Sequence, residues 1–360
     1  MSALKRNLLS IFCWTSITCF SQIDENKADV RNYEFKTINL SAASEIKLAL
    51  PVSTIEVHDV RFDTSCLGIH PVAQSQRLYM IRFKNSLPDE IKDFFYSLAD
   101  SMIPGNPELH CFIKKLMLTD YIDANNIDKQ KASSKTYDAD IKSGVLFTAE
   151  FYSKLENDYI PLCRVDTVII GSKDVNKAGG IYISDALIGS LKKVSKLNWE
   201  KIKQDKRLKV EEINSYYNKR FDLPILNTAP VKGLYLNFKD FLNNMPSNSE
   251  FTVDKNQRGD FLYVKNEKNE EMLFTDLWGY CDGKDIYIYS ASNYFKLQRT
   301  GNSFKVYGAK DFTAHRNLRL NMRLTDLISP NSSYSKGSTQ NKYSLVKNFF
   351  QLDMDTGELY

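Results

Sequence analysis

The chain has 360 residues, 42% of them apolar, 26% charged and 12% aromatic. That composition excludes a disordered or fibrous protein, and the length leaves room for two domains of about 100–200 residues each. A formal charge of +4 is too small to imply a nucleic-acid partner, and none is expected.

Residues 1–21 have the layout of a secretory signal. Lys5 and Arg6 form a basic start, Leu8, Leu9, Ile11, Phe12, Trp14 and Ile17 an apolar middle, and Cys19 and Ser21 a small-residue end, so cleavage is predicted after Ser21. The stretch is too short and too interrupted by Ser and Thr for a membrane span, which needs about 20 apolar residues. Cleavage removes two basic residues and no acidic one, leaving a charge of +2. The mature chain is expected to be exported, and either periplasmic or associated with the outer membrane. Cys66, Cys111, Cys163 and Cys281 are too few for a disulfide scaffold. One bridge among the first three stays open beside the reading of most of the four as small buried hydrophobes.

Residues 22–34 are polar and read as a flexible lead. Strands are predicted over Thr54–Asp63 and Arg77–Lys84. Ser86-Leu87-Pro88-Asp89 starts a helix with a Ser cap and an early Pro, and Ile91, Phe94, Phe95, Leu98 and Met102 make its buried stripe. Leu109–Ile122 reads as a long strand and residues 123–140 as a mobile loop. Residues 145–152 and 159–170 alternate apolar and polar and should form a hairpin. Gly179-Gly180 is expected to begin a helix capped near Ser184 and Asp185. A second helix is expected from about Leu208 to Arg220, ended by Leu223-Pro224, with a linker at Asn227–Pro230.

The fold class predicted is therefore α+β. An N-terminal antiparallel or mixed sheet with helices on one face spans 35–226. A β-rich antiparallel meander spans 231–328, followed by a partly mobile segment over 329–360. In the second part, Phe238–Asn243 reads as a short helix. Asp260–Lys265, Met272–Tyr280, Asp285–Ser290, Tyr294–Arg299 and Ser303–Gly308 read as strands, with Asp282-Gly283 a strong hairpin signal. Leu345–Leu352 reads as a last strand or helix.

The usual catalytic spacings are absent: no Gly-x-Ser-x-Gly, His-Glu-x-x-His, Walker loop or Gly-x-Gly-x-x-Gly occurs. No catalytic residue, metal ligand or cofactor is predicted. Cys66, His70, His110 and Cys111 match no common zinc spacing, and adjacent strand residues such as His110 and Cys111 point to opposite faces. Asp59, Arg61 and Asp63, and likewise Arg164 and Asp166, alternate along strands and suggest a charge-paired ladder if the two strands are neighbours.

Two features offer surfaces. Residues 192–220 carry ten basic against four acidic side chains, and Lys192, Lys193, Lys196 and Arg207 are candidates for contact with an anionic membrane or an acidic partner. In the second part, Tyr287 and Tyr289 alternate with Ile286 and Ile288, and with Trp278 they could stack on a glycan or peptide.

Three stretches, Gly233-Leu234-Tyr235-Leu236-Asn237-Phe238 through Pro246-Ser247, Trp278-Gly279-Tyr280-Cys281-Asp282-Gly283-Lys284 and Leu352-Asp353-Met354-Asp355-Thr356-Gly357, resemble a group of exported envelope proteins of Bacteroidota. The signal end at Cys19-Phe20-Ser21-Gln22 is similar to theirs. The resemblance covers mainly the C-terminal third. It implies an envelope location, brings no known activity and transfers no catalytic residue. The expected function is that of a non-catalytic exported envelope protein, a binding or accessory module acting through protein, glycan or lipid-surface contacts. The alternatives are a carboxylate-dependent hydrolase of the envelope and a surface structural or adhesion protein.

Overall fold

Four short strands open the structure: β1 (Tyr33–Thr37), β2 (Ile55–Asp59), β3 (Gly68–Pro71) and β4 (Leu78–Arg82). The computed structural model describes residues 33–41, 45–71, 78–122, 141–171, 173, 175–202, 206–256, 259–290, 293–309 and 347–360. The expected signal at 1–21, most of the lead, the loop at 123–140 and the segment 329–344 lie outside the described residues. Tyr33 and Glu34, expected in the lead, belong to β1, because β4 takes up their backbone in a parallel pair. β3 pairs antiparallel on the other side of β4.

α1 (Leu87–Leu98) forms as its sequence dictates. The Ser86 side chain accepts a hydrogen bond from the Asp89 N–H, a Pro occupies the first turn, and Leu87, Ile91, Phe94, Phe95 and Leu98 are buried. Three long strands follow: β5 (Glu108–Ile122), β6 (Ile141–Leu155) and β7 (Asp158–Gly171). After them come α2 (Val175–Ser195), α3 (Trp199–Ile202), the two-residue β8 (Leu208–Lys209), α4 (Val210–Lys219) and α5 (Pro224–Asn227). The strands join into a five-stranded sheet, β2-β5-β6-β7-β8, parallel only between β2 and β5.

Alternation divides this sheet. Leu109, Cys111, Ile113, Val145, Phe147, Ala149, Phe151 and Val165 point to one face and pack with α1 and α2 into the largest apolar core. The other face is partly covered by α4, whose Ile213 and Tyr217 meet Phe112, Tyr152 and Tyr159.

α2 starts at Val175, four residues before the glycine pair expected to begin it. The glycines are there for close approach rather than initiation. A Cβ on Gly180 would stand 2.0 Å from the Asn39 carbonyl oxygen, so only glycine lets the segment after β1 lie on the helix. Ser184 is no cap: its hydroxyl donates to the Gly180 carbonyl and accepts from the Ser41 N–H, both at 2.8 Å. Pro224, expected to end a helix, opens α5 instead, since its fixed φ suits a first turn.

The C-terminal part contains β9 (Gly233–Tyr235), α6 (Phe238–Leu242), β10 (Thr252–Asn256), β11 (Gly259–Lys265), β12 (Glu271–Leu273), β13 (Gly279–Cys281), β14 (Ile286–Ser290), β15 (Asn293–Thr300), β16 (Ser303–Ala309) and β17 (Lys347–Gln351). A six-stranded antiparallel sheet has the order β17-β16-β15-β14-β13-β9, and a three-stranded one the order β10-β11-β12. Met272–Tyr280, expected as one strand, is split between them. The chain crosses over after β12, where the Phe274 N–H bonds the Leu262 carbonyl and the Trp278 N–H bonds the Tyr235 carbonyl.

The α+β architecture with a β-rich C-terminal region is what the structure shows. Residues 33–360 form one compact unit. Lys305 meets Asp63 at 3.0 Å, Arg220 meets Asp355 at 3.2 Å, Lys115 meets Asp353, and Phe62 packs against the C-terminal core.

Candidate functional site: the ionic and aromatic face of the five-stranded sheet

Glu108, His110 and Phe112 alternate along β5 and so share the face away from α1 and α2, and parallel pairing sets Glu56 and His58 of β2 beside them. The result is a hydrogen-bonded chain. His110 Nε2 lies 2.9 Å from the Glu108 carboxylate, and His110 Nδ1 lies 2.9 Å from His58 Nε2. With Nε2–H donating to Glu108, Nδ1 of His110 is the acceptor and His58 Nε2–H the donor. Lys154 reaches Glu108 from β6 at 3.3 Å. The His58 ring stacks on Phe112 at 4.3 Å between centroids, and Phe112 stacks on Tyr217 at 4.4 Å, so the relay ends in an aromatic column under α4.

A second cluster surrounds Glu150 of β6. Tyr217 Oη donates to it at 2.7 Å, Lys114 Nζ at 3.1 Å and Tyr216 Oη at 3.2 Å. Alternation from Phe112 sets Lys114 on this face, and the bulge between Ile113 and Lys115 adds Lys115 to it while leaving Leu116 in the core.

Burial and neighbours set the charges. Burial pushes His58 down to about 4, helped by His110, against the opposing pull of Glu56. Burial also lowers His110, although Glu108 pulls it upward. Both imidazoles are therefore neutral at neutral pH. The hydrogen bond from His110 holds the Glu108 carboxyl below its ordinary value despite burial. Burial alone would raise Glu150, but bonds from Tyr217 and Lys114 outweigh it and keep the carboxylate charged. Burial raises the Cys66, Cys111 and Cys163 thiols, and Cys66, Cys111, Cys163 and Cys281 are all free. The bridge left open among the first three is thus not made.

The residues singled out from the sequence are scattered. Asp59 is bound by Arg61 in a bidentate pair with both contacts at 2.8 Å. Asp63 faces Lys305, and Arg164 faces Asp166 at 2.7 Å. The expected ladder between Asp59–Asp63 and Arg164–Asp166 does not form, because β5 and β6 separate β2 from β7. Cys111 enters the core while His110 takes the opposite face, as alternation requires. A cleft of about 280 Å³ near the start of α1 is lined by Arg61, Ser65, Arg82, Lys84 and Ser86, and its buried cation Arg61 is already held by Asp59 and the Cys66 and Leu116 carbonyls.

Trp278, Tyr287 and Tyr289 do not share one surface. Trp278 packs at 4.5 Å on Phe241 in the core of the six-stranded sheet. Tyr287 lies on the other side, stacked at 4.7 Å on the buried Tyr280 among residues of the three-stranded sheet. Tyr289 is half-buried beside Tyr294. Lys192, Lys193 and Lys196 are exposed at the end of α2, where Lys193 Nζ donates to the Arg164 carbonyl at 2.8 Å. Arg207 is exposed and shares Asp158 with Lys209.

Sequence reasoning passed over Glu108, His58 and Glu150. The alternation Glu108-x-His110 was a visible sign of a shared face, but the parallel β2–β5 pairing that adds His58 leaves no local signature. Among the described residues no group of three His, Cys, Asp or Glu side chains is placed to hold a metal ion, and no helix is long and apolar enough to cross a membrane. Comparison with protein families, with curated proteins and with solved structures finds no match.

Proposed function

We propose that this protein is a non-catalytic component of the cell envelope, exported by residues 1–21, which acts as a binding or accessory module through its surface. The observation that carries this reading is the state of its ionisable groups. Asp59, Asp63, Asp166 and Glu150 are each bound by a cation, and His110 is held on both ring nitrogens. Groups spent on one another support architecture, whereas a general acid or base needs a proton within reach of a substrate. The exposed Lys192 and Lys196 with Arg207 supply a cationic surface, suited to an acidic partner or an anionic bilayer at about 1 kcal/mol per close charge.

Crosslinking in whole envelope followed by capture of the full chain tests the reading: a discrete, reproducible partner is expected. Replacing Lys192, Lys193 and Lys196 by Glu should weaken sedimentation with phosphatidylglycerol vesicles, and equal sedimentation removes the bilayer as a contact. A second reading, a carboxylate-dependent hydrolase, draws on the Glu108–His110–His58 chain, which could draw a proton from the half-exposed His58 towards Glu108. Turnover of an envelope substrate that disappears in both Glu108→Gln and His58→Gln would establish it and overturn the first.

A further inference from the structure

β7 has two neighbours only at its beginning. β6 pairs with it along its whole length, but β8 covers only Asp158 and Tyr159. From there to Gly171 its second edge has no strand neighbour among the described residues. The first part of that edge is guarded, since Pro161 offers no N–H and the ladder with β6 is bulged around Leu162. Beyond Cys163 the register is regular. Lys193 reaches the Arg164 carbonyl from the open side, and two-residue alternation sets the backbone groups of Asp166, Val168 and Ile170 on that side as well. Their side chains stand on the sheet face away from α2 and are exposed, Val168 by 57% and Ile170 by 52%.

We infer that the edge Arg164–Ile170 accepts an extended polypeptide segment as a sixth strand, and that the segment is acidic where it passes the lysines at the end of α2 and apolar where it passes Val168 and Ile170. Main-chain hydrogen bonds would supply affinity, and the alternating side chains would supply choice. Charge selects the occupant. Lys193 reaches Arg164 from the end of α2, where Lys192 and Lys196 are exposed as well, and Arg207 and Lys209 flank the start of the same edge. The nearby carboxylates are spent: Asp158 lies between Arg207 and Lys209, and Asp166 is bound by Arg164 and Thr148. A second copy of this chain would bring the same cations to the contact and be repelled. The inference rests on the proposed role as a binding module and names the class of partner.

The test uses the full chain and three labelled, capped peptides: one alternating Glu and Val, its Lys-for-Glu counterpart, and oligoglutamate. Fluorescence anisotropy measures binding, and hydrogen exchange reads the β7 amides. The Glu–Val peptide is expected to bind, with slowed exchange over 164–170. Val168→Pro, which removes an outward N–H, and Lys193→Glu, which leaves the strand intact, should each weaken binding by about tenfold or more. If Val168→Pro fails to fold, Lys193→Glu and the exchange data still decide. Equal binding of the Lys–Val peptide or of oligoglutamate, unchanged exchange over 164–170, or concentration-dependent self-pairing through β7 would overturn the inference. A partner captured from envelope and retained in full by both variants would sink this edge while sparing the binding role.

Discussion

The two faces of the five-stranded sheet are made by the same strands, one residue out of step, and they solve burial differently. The inner face is apolar and sealed by α1 and α2. The outer face carries Glu108, His110, Lys114 and Glu150, and among the described residues α4 covers its Phe112–Tyr152–Tyr159 part and reaches Glu150. Apolar contacts tolerate any partner that fills the space, whereas each buried charge requires a particular neighbour at a particular distance. The inner face therefore holds the sheet together, and the outer face fixes what lies upon it. The largest expected effect separates the two. Phe147→Ala empties a site that is 1% exposed and should cost about 3–5 kcal/mol in urea unfolding. Thr148→Ala, the next residue on the outer face, should stay within about 1 kcal/mol, including its bond to Asp166. Equal losses would break the contrast.

The contrast sharpens where the C-terminal region meets the sheet. The Lys305 and Asp63 side chains are 6% and 2% exposed, and Asp63 also accepts from the Ser65 N–H. Lys305→Met leaves that carboxylate buried without its cation and should cost about 3 kcal/mol. Adding Asp63→Leu should recover most of the loss, since removing both charges removes the desolvation penalty with the attraction. A double variant as unstable as the single one would mean that this pair is not what is being measured. A smaller loss, about 1.5–3 kcal/mol, is expected for Tyr217→Phe, which takes the 2.7 Å bond from the charged Glu150 and leaves the Phe112 stack in place.

The same division explains what the sequence revealed. Period-two alternation in residues 145–152 and 159–170, and the capped stripe from Ser86 to Leu98, lie within short windows and gave the inner face and α1 directly. The outer face depends on choices no window contains. The parallel β2–β5 pair joins residues 52 apart to make the His58–His110 contact, and α4 brings Tyr217 to Glu150 across 67 residues. The glycine pair in α2 misled for a related reason: its cause is Asn39, on another segment. The tyrosines of β14 have the pattern of an exposed binding face, but a separate small sheet lies against Tyr287, and strand periodicity does not say what covers a face.

The smallest expected effect concerns pH and centres on the histidines of the outer face. His58 titrates near 4 in the folded protein and near 6.5 when unfolded. Between those values the unfolded chain binds the proton and the folded chain does not, so stability rises with pH through that window and is lost on acidification from about 6.5 to 4. His110, lowered by burial, acts in the same direction, while Glu56 and Glu108 oppose and Lys92 and Lys154 assist. The His58 contribution should be about 1–2 kcal/mol, less than full burial would give because the ring keeps contact with solvent. Urea unfolding at pH 7 and pH 4.5 measures it. His58→Gln should narrow the gap between the two conditions, whereas Phe147→Ala should lower both and leave the gap unchanged. A gap that survives His58→Gln intact would place the acid sensitivity elsewhere, with Glu150 as the next carboxylate to replace, because its lowered pKa also removes stability as the pH falls.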